Sequence, residues 1–433
     1  MDRIIADIIF SSIIGDAAGY TLNGMKKNHI KAVFKEINGY VDPSPALKDN
    51  MHKWKKCGLY SSISQNILLT AASVDKKGLN FDKYTGSVQN SLEICESEFG
   101  IFRDPGEAEK NFFNRIKTGK SEKSTEQQYT YPCSRLLPAV IPLLFIKDEQ
   151  AQFITAINYI SLFTSDSSTI VGGILLLKIL KELIKKEGNS ILETALNSAE
   201  LVKNGLIDYQ SVIFDTGYNP DYLVLDSGYY LKLFKELYTC TEPALYEKII
   251  CDYAENSSRN RKSNKNKITR ASINLPDTIL PMGVILSELC SDPEKIYKTA
   301  AEEGGSASSL TAIASAVTTA FHGLNVPEEY LNSLINKKRI KNIIELLTDD
   351  KNRALILDEI INGEPGLTDK ELEEFRAKNK GIVVKKKKRE RADIESELSK
   401  HVVESWTKLD KAKWKKERKS FRPPLAGGNN NIK

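Results

Sequence analysis

Gly304-Gly305-Ser306-Ala307-Ser308-Ser309-Leu310-Thr311-Ala312-Ile313-Ala314-Ser315-Ala316-Val317-Thr318-Thr319-Ala320-Phe321-His322-Gly323 is the stretch that decides the fold. Leu310, Ile313, Val317 and Phe321 recur three and four residues apart, the spacing of one helix face. Ala312, Ala316 and Ala320 run beside them and provide small contacts for close helix packing. Glycines and serines mark the start and a glycine marks the end. Outward from here the same period returns. Ile4, Ile5, Ile8, Ile9 and Ile13 share a face, as do Ile170, Ile174, Leu177, Leu180 and Ile184, which follow Ser and Thr and precede Gly188. Clean period-two alternation bounded by turn signals is absent, which argues against βαβ and sandwich folds. The body is expected to be all-α.

The chain has 433 residues, 41% of them apolar and 27% charged, enough to bury a large core. A net charge of +5 is too small for nucleic-acid binding by the whole chain, but its distribution is uneven. From Lys351 onward there are 22 Lys and Arg against 14 Asp and Glu; the residues before it carry 40 against 43. A near-neutral body with a basic tail follows. No apolar run reaches the roughly 18 residues of a membrane span. Residues Met1–Asp7 lack a basic segment and Asp7 interrupts the apolar run, so no export signal is expected. Six cysteines without a CxxC, and only four histidines, argue against a disulfide scaffold or structural zinc. They point to an intracellular, reducing compartment, cytoplasm or nucleus.

Breaks in the helical pattern mark loops at Thr118–Thr130 and Ser257–Arg270. The second holds Arg259, Arg261, Lys262, Lys265, Lys267 and Arg270 with no acid, and reads as a solvated loop or a phosphate-facing one. Past Tyr330 the chain becomes charged and Lys-rich, which divides it into a helical domain over 1–340 and an extension over 341–433. No internal repeat is apparent.

Three segments place small and hydroxyl residues at helix ends. Gly15-Asp16-Ala17-Ala18-Gly19 closes the first helix; Tyr60-Ser61-Ser62-Ile63-Ser64-Gln65 and Gly304–Ser309 each open one. Serines there can cap free backbone N–H groups, and the same N–H groups can hold an anion.

In this order and setting the segments resemble those of the ADP-ribosylglycohydrolases. The family's G-D-A-x-G matches Gly15–Gly19, with Asn23 where a Glu follows four residues later. Its T-D-D-T-Q aligns with Ser61–Gln65, its M-R-x-x-P with Ser134-Arg135-Leu136-Leu137-Pro138, and its G-G-D-x-D-[ST] and following helix with Gly304–Gly323. The resemblance spans roughly residues 4–335 and implies an orthogonal helical bundle; it says nothing about the tail.

In the family these carboxylates hold two Mg²⁺ or Mn²⁺ ions that bind the ribose and activate hydrolysis. Here five expected carboxylates are Asn23, Ser62, Ile63, Ser306 and Ser308. Hard divalent ions need anionic oxygen ligands, and Ile63 cannot ligate, so the binuclear centre is expected to be absent. The vestigial pocket then comprises Asp16, Asn23, Ser61, Ser62, Ser64, Arg135, Gly305, Ser306, Ser308 and Ser309. No catalytic residue stands out: Asp16 braces a helix end, Asp166 caps one, His322 ends one, and Cys133 lacks a partner to activate it. Replacing clustered acids removes repulsion the ions once neutralised. Tyr129 and Tyr131 near Pro132 either fill the pocket or stack on an adenine.

The tail carries Lys385-Lys386-Lys387-Lys388-Arg389, then an amphipathic pattern through Ile394, Leu398, Val402, Trp406 and Leu409, then basic residues around Trp414. It reads as a solvated, partly disordered extension, a helix that docks on another protein, or a nucleic-acid contact. Together these features predict a catalytically inactive ADP-ribosylglycohydrolase-like protein. Its tail would attach it to a protein or ribonucleoprotein assembly. The alternatives are residual hydrolysis of an ADP-ribosyl bond, or binding of ADP-ribose or a nucleotide without cleavage.

Overall fold

The computed structural model describes residues 2–48, 50–95, 97–119, 132–186, 188–256, 268–349, 352 and 355–379. Tyr129 and Tyr131, the core of the basic loop at 257–267, and the tail residues Lys385–Arg389, Trp406 and Trp414 lie outside the described residues.

Helices account for the architecture, and no strand occurs among the described residues. The first helix, Asp2–Tyr20, is buried almost without interruption from Ile5 onward. The Ala307–His322 helix is buried at every position from Ala307 to Ala320. Helices buried on every side belong at the centre of a large core, and these two lie against each other along their length. What permits the contact is Gly15 and Gly19. A Cβ on Gly15 would stand 2.5 Å from the Thr311 carbonyl oxygen, and one on Gly19 would stand 2.3 Å from the Ala307 carbonyl. The Gly15–Gly19 motif is therefore a packing seam as well as a helix end.

Pro276–Leu289 and Ser167–Lys185 pack on the Ala307–His322 helix, and Ile191–Asp208 and Pro220–Thr239 extend the bundle outward from Ser167–Lys185. No described helix is long and apolar enough to cross a membrane. All six cysteines are free thiols. The chain divides into a compact unit ending at Phe375 and a second unit, Arg376–Lys433. The first runs well past the change in charge near 340, because helical residues 355–375 bury Ile356, Ile360, Glu364, Thr368 and Glu371 within it.

A candidate site at three helix ends

Each of the three small-residue segments meets a partner from another. Asp16, fully buried near the end of the first helix, accepts four hydrogen bonds from the start of Ser62–Ser73: Ser61 N–H at 2.9 Å, Ser61 Oγ at 2.8 Å, Ser64 N–H at 3.1 Å and Ser64 Oγ at 2.7 Å. A carboxylate at a helix N-terminus satisfies its free donors and complements its dipole. Ser61 caps the same helix by accepting from Ile63 N–H at 3.2 Å. Ile63 points into the core with no exposed surface.

At the third segment the capping expectation needs correction. Ser306 stands at the N-cap of Ala307–His322, but its side chain caps nothing. Asn23 supplies the cap instead. Its Oδ1 accepts from Ser308 N–H at 2.9 Å, and its Nδ2 donates to Ser308 Oγ at 3.0 Å. Ser308 Oγ in turn donates to the Asp16 carbonyl at 3.3 Å. Ser306 N–H donates to the Ser272 carbonyl at 2.6 Å. Gly305 has φ of 61°, and a Cβ there would stand 2.0 Å from that same carbonyl, so only glycine fits. Ser309 Oγ is buried without a hydrogen-bond partner among the described residues.

Arg135 ties the second segment to an acid that sequence reasoning missed. Its Nε donates to Glu109 Oε2 at 2.9 Å, and one Nη donates to Ser62 Oγ at 2.8 Å and the Asp104 carbonyl at 2.8 Å. Ser62 Oγ donates to Glu109 Oε1 at 2.7 Å, and Asn66 Nδ2 donates to the same oxygen at 2.8 Å. Glu109 also receives Gly106 N–H at 2.6 Å, a third-position glutamate capping the start of Glu107–Lys117 without a reciprocal bond, since Gly106 has no side chain. That capping position is the one local signal by which the sequence marks it. Burial opposes the charge on Arg135, yet Glu109, Asp104 and Asp16 together raise its pKa above the ordinary guanidinium value.

Of the remaining candidates, Asp166 caps Ser167–Lys185, its Oδ2 accepting from Thr169 N–H at 2.9 Å. His322 ends its helix. Cys133 is buried, which pushes its thiol up to about 12, the opposite of an activated nucleophile.

A cavity of about 830 Å³ opens beside these groups, within the size range of small-molecule sites. Its wall includes Asn23, Arg135, Gly305 and Ser306, together with Lys53, Lys55 and Arg270. Asp104, its side chain 38% exposed, is on the wall as well; partial desolvation works against its charge, but Lys55 and Arg135 hold its carboxyl below the usual range. Trp54, Phe102 and Phe375 add aromatic surface. Asp16, Ser61, Ser62, Ser64, Ser308 and Ser309 are not among the lining residues, so only four of the ten expected pocket residues face the cavity.

The donors do not suit a pair of hard divalent ions. Asn23, Ser62 and Ser308 spend their oxygens on one another, on Arg135 and on backbone, and Ile63 has none. Among the described residues no group of three His, Cys, Asp or Glu side chains is placed to hold a metal.

An all-α body on a glycine seam, with three helix ends converging beside a cavity, defines the class. The sequence profile of the ADP-ribosylglycohydrolases matches residues 2–356, and the chain belongs to that family. It also resembles a solved structure described as an ADP-ribosylglycohydrolase-related protein complex. The identity is 13% and the TM-score 0.50, covering 82% of this chain and 98% of that one, a likeness of fold. No curated protein matches.

Proposed function

We propose that this protein is a non-hydrolysing member of its family, a scaffold or interaction module whose basic tail joins it to a protein or ribonucleoprotein assembly. The reciprocal Asn23–Ser308 pair carries the reading: two positions where the family places metal-binding carboxylates are spent on each other and on a helix cap. Residual hydrolysis through Asp16 or Asp166 is disfavoured, because both carboxylates are buried caps.

A second reading is favoured by the cavity. Lys53 and Arg270 offer cationic groups beside aromatic surface, with Lys55 already paired to Asp104, which suits ADP-ribose or a nucleotide held without cleavage. Calorimetric titration with ADP-ribose, in Mg²⁺ and in chelator, separates the possibilities. Chelator-insensitive binding without release of ADP-ribose from a modified protein supports a reader. No binding leaves the scaffold alone. Mg²⁺-dependent binding, or hydrolysis lost in Asp16→Asn, would overturn the non-hydrolysing reading.

A further inference from the structure

Past residue 356, where the family match ends, the chain returns to the cleft as a helix. Glu364, Thr368 and Glu371, three and four residues apart on one face, each bond to the body, Glu364 and Glu371 at or beside its motif segments. Glu364 accepts from Arg103 Nη2 at 2.7 Å, from Gln65 Nε2 at 2.9 Å and from the Tyr60 hydroxyl. The Arg103 and Glu364 side chains are only 1% and 2% exposed. Thr368 Oγ1 accepts from Arg103 Nη1 at 3.0 Å and donates to the Ile101 carbonyl at 2.8 Å. Glu371 accepts from Lys56 N–H at 2.8 Å and from the Tyr20 hydroxyl at 3.2 Å. Tyr60 and Gln65 belong to the segment that opens Ser62–Ser73, and Tyr20 ends the first helix. The same helix supplies Thr368, Glu371, Leu372 and Phe375 to the cavity wall.

We propose that residues 364–375 are a ligand-binding element of the cavity, so that docking of this helix and occupancy by an anionic, partly aromatic small molecule stabilise each other. The inference rests on the cavity being a ligand site. A molecule touching both the cationic wall and the Leu372–Phe375 wall binds the docked state better than any undocked one. By reciprocity it then holds the helix down. The buried Arg103–Glu364 pair makes docking close to all-or-none, since separating it strands two charges in a poorly solvated place.

The cysteines beside the helix report its docking. Cys95 lies within electrostatic reach of Asp369 and Glu364, and Cys57 of Glu374; both are partly buried. The full-length chain is labelled with N-ethylmaleimide, with and without ADP-ribose, and each thiol is followed by peptide mass spectrometry beside a calorimetric titration. ADP-ribose should slow labelling of Cys95 by about fivefold or more, a typical coupling, and leave Cys240, at the end of Pro220–Thr239, unchanged. Glu364→Gln should speed labelling at Cys57, which the Glu364 charge does not reach; Cys95 would speed from loss of that charge alone and is not read in this variant. Phe375→Ala, whose side chain is only partly buried, covers the case in which Glu364→Gln does not fold; it should weaken ADP-ribose about tenfold, or 1.4 kcal/mol. Binding with no protection of Cys95, or with unchanged affinity in Phe375→Ala, overturns this inference and leaves the ligand site standing. Absence of ADP-ribose binding to the unmodified chain removes both.

Discussion

Adding a single methyl group at Gly19 tests the account of the central seam. In Gly19→Ala the new Cβ would lie 2.3 Å from the carbonyl carbon and oxygen of Ala307 and 2.4 Å from the nitrogen of Ser308. Carbon contacts normally sit near 3.5–4.0 Å, so the two central helices must part by about 1 Å. All three obstructing atoms are backbone, so no rotamer change relieves the clash. Overpacking of this kind costs about 1–3 kcal/mol or more, and alanine's helix propensity returns up to about 1 kcal/mol. Gly86 provides the control: it is exposed in Phe81–Glu93, and a Cβ there meets nothing within 4 Å. Gly86→Ala should stabilise by about 0.5–1 kcal/mol. Urea denaturation followed by circular dichroism should therefore move the two midpoints in opposite directions. A Gly19→Ala protein as stable as the parent would refute the seam, and with it the reason for two glycines in the first motif.

Asn23→Ala removes the cap on Ser308 N–H and should cost about 1 kcal/mol in urea denaturation. Arg135→Ala leaves Glu109 buried without its cation and should cost about 3–5 kcal/mol; Arg135→Lys should restore only part of this, because an ammonium cannot reach Glu109, Ser62 and the Asp104 carbonyl as a planar fork does. Two carboxyls predict opposite pH effects on stability, measured by thermal unfolding across pH. The folded pKa of Asp104 is lowered: partial desolvation opposes this, but Lys55 and Arg135 prevail, so its contribution is present above its unfolded value and lost as pH falls below about 4. Asp104→Asn should blunt that acid sensitivity. Burial raises the folded pKa of Glu371 despite Arg103 and the Lys56 N–H, so its contribution is complete below the unfolded value and lost as pH rises through the folded one. Glu371→Gln should flatten stability between about pH 4.5 and neutrality.

The parts legible in the sequence are those that leave a local pattern. Leu310, Ile313 and Val317 are visible because large apolar side chains recur at the helical period among Ala, Ser and Thr, and Ser61 because a cap sits at a fixed offset from the donor it serves. Ser306 has the same local look, yet its helix is capped by Asn23 from 285 positions away, and no window of sequence contains both. Arg103 and Glu364 are 261 apart, so each reads alone as an ordinary surface charge. Residues 355–379 suffer most from this. Their acids and lysines suggest a solvated face, whereas Ile356, Ile360, Glu364 and Thr368 are buried.

The mutual pairing at the three helix ends also sets what an acidic centre would cost to build here. Ser62→Asp would set a second carboxylate where Ser62 Oγ now lies 2.7 Å from Glu109. Ser308→Asp would press one toward the Asp16 carbonyl, now 3.3 Å from Ser308 Oγ. Ile63→Asp would bury one where no surface is exposed. The steps at 63 and 308 would therefore each lower stability, whereas a carboxylate at 62 would meet the Arg135 guanidinium that already bonds Ser62 Oγ at 2.8 Å. The bonds and burial that hold these ends together are thus the same ones that oppose carboxylates at positions 63 and 308.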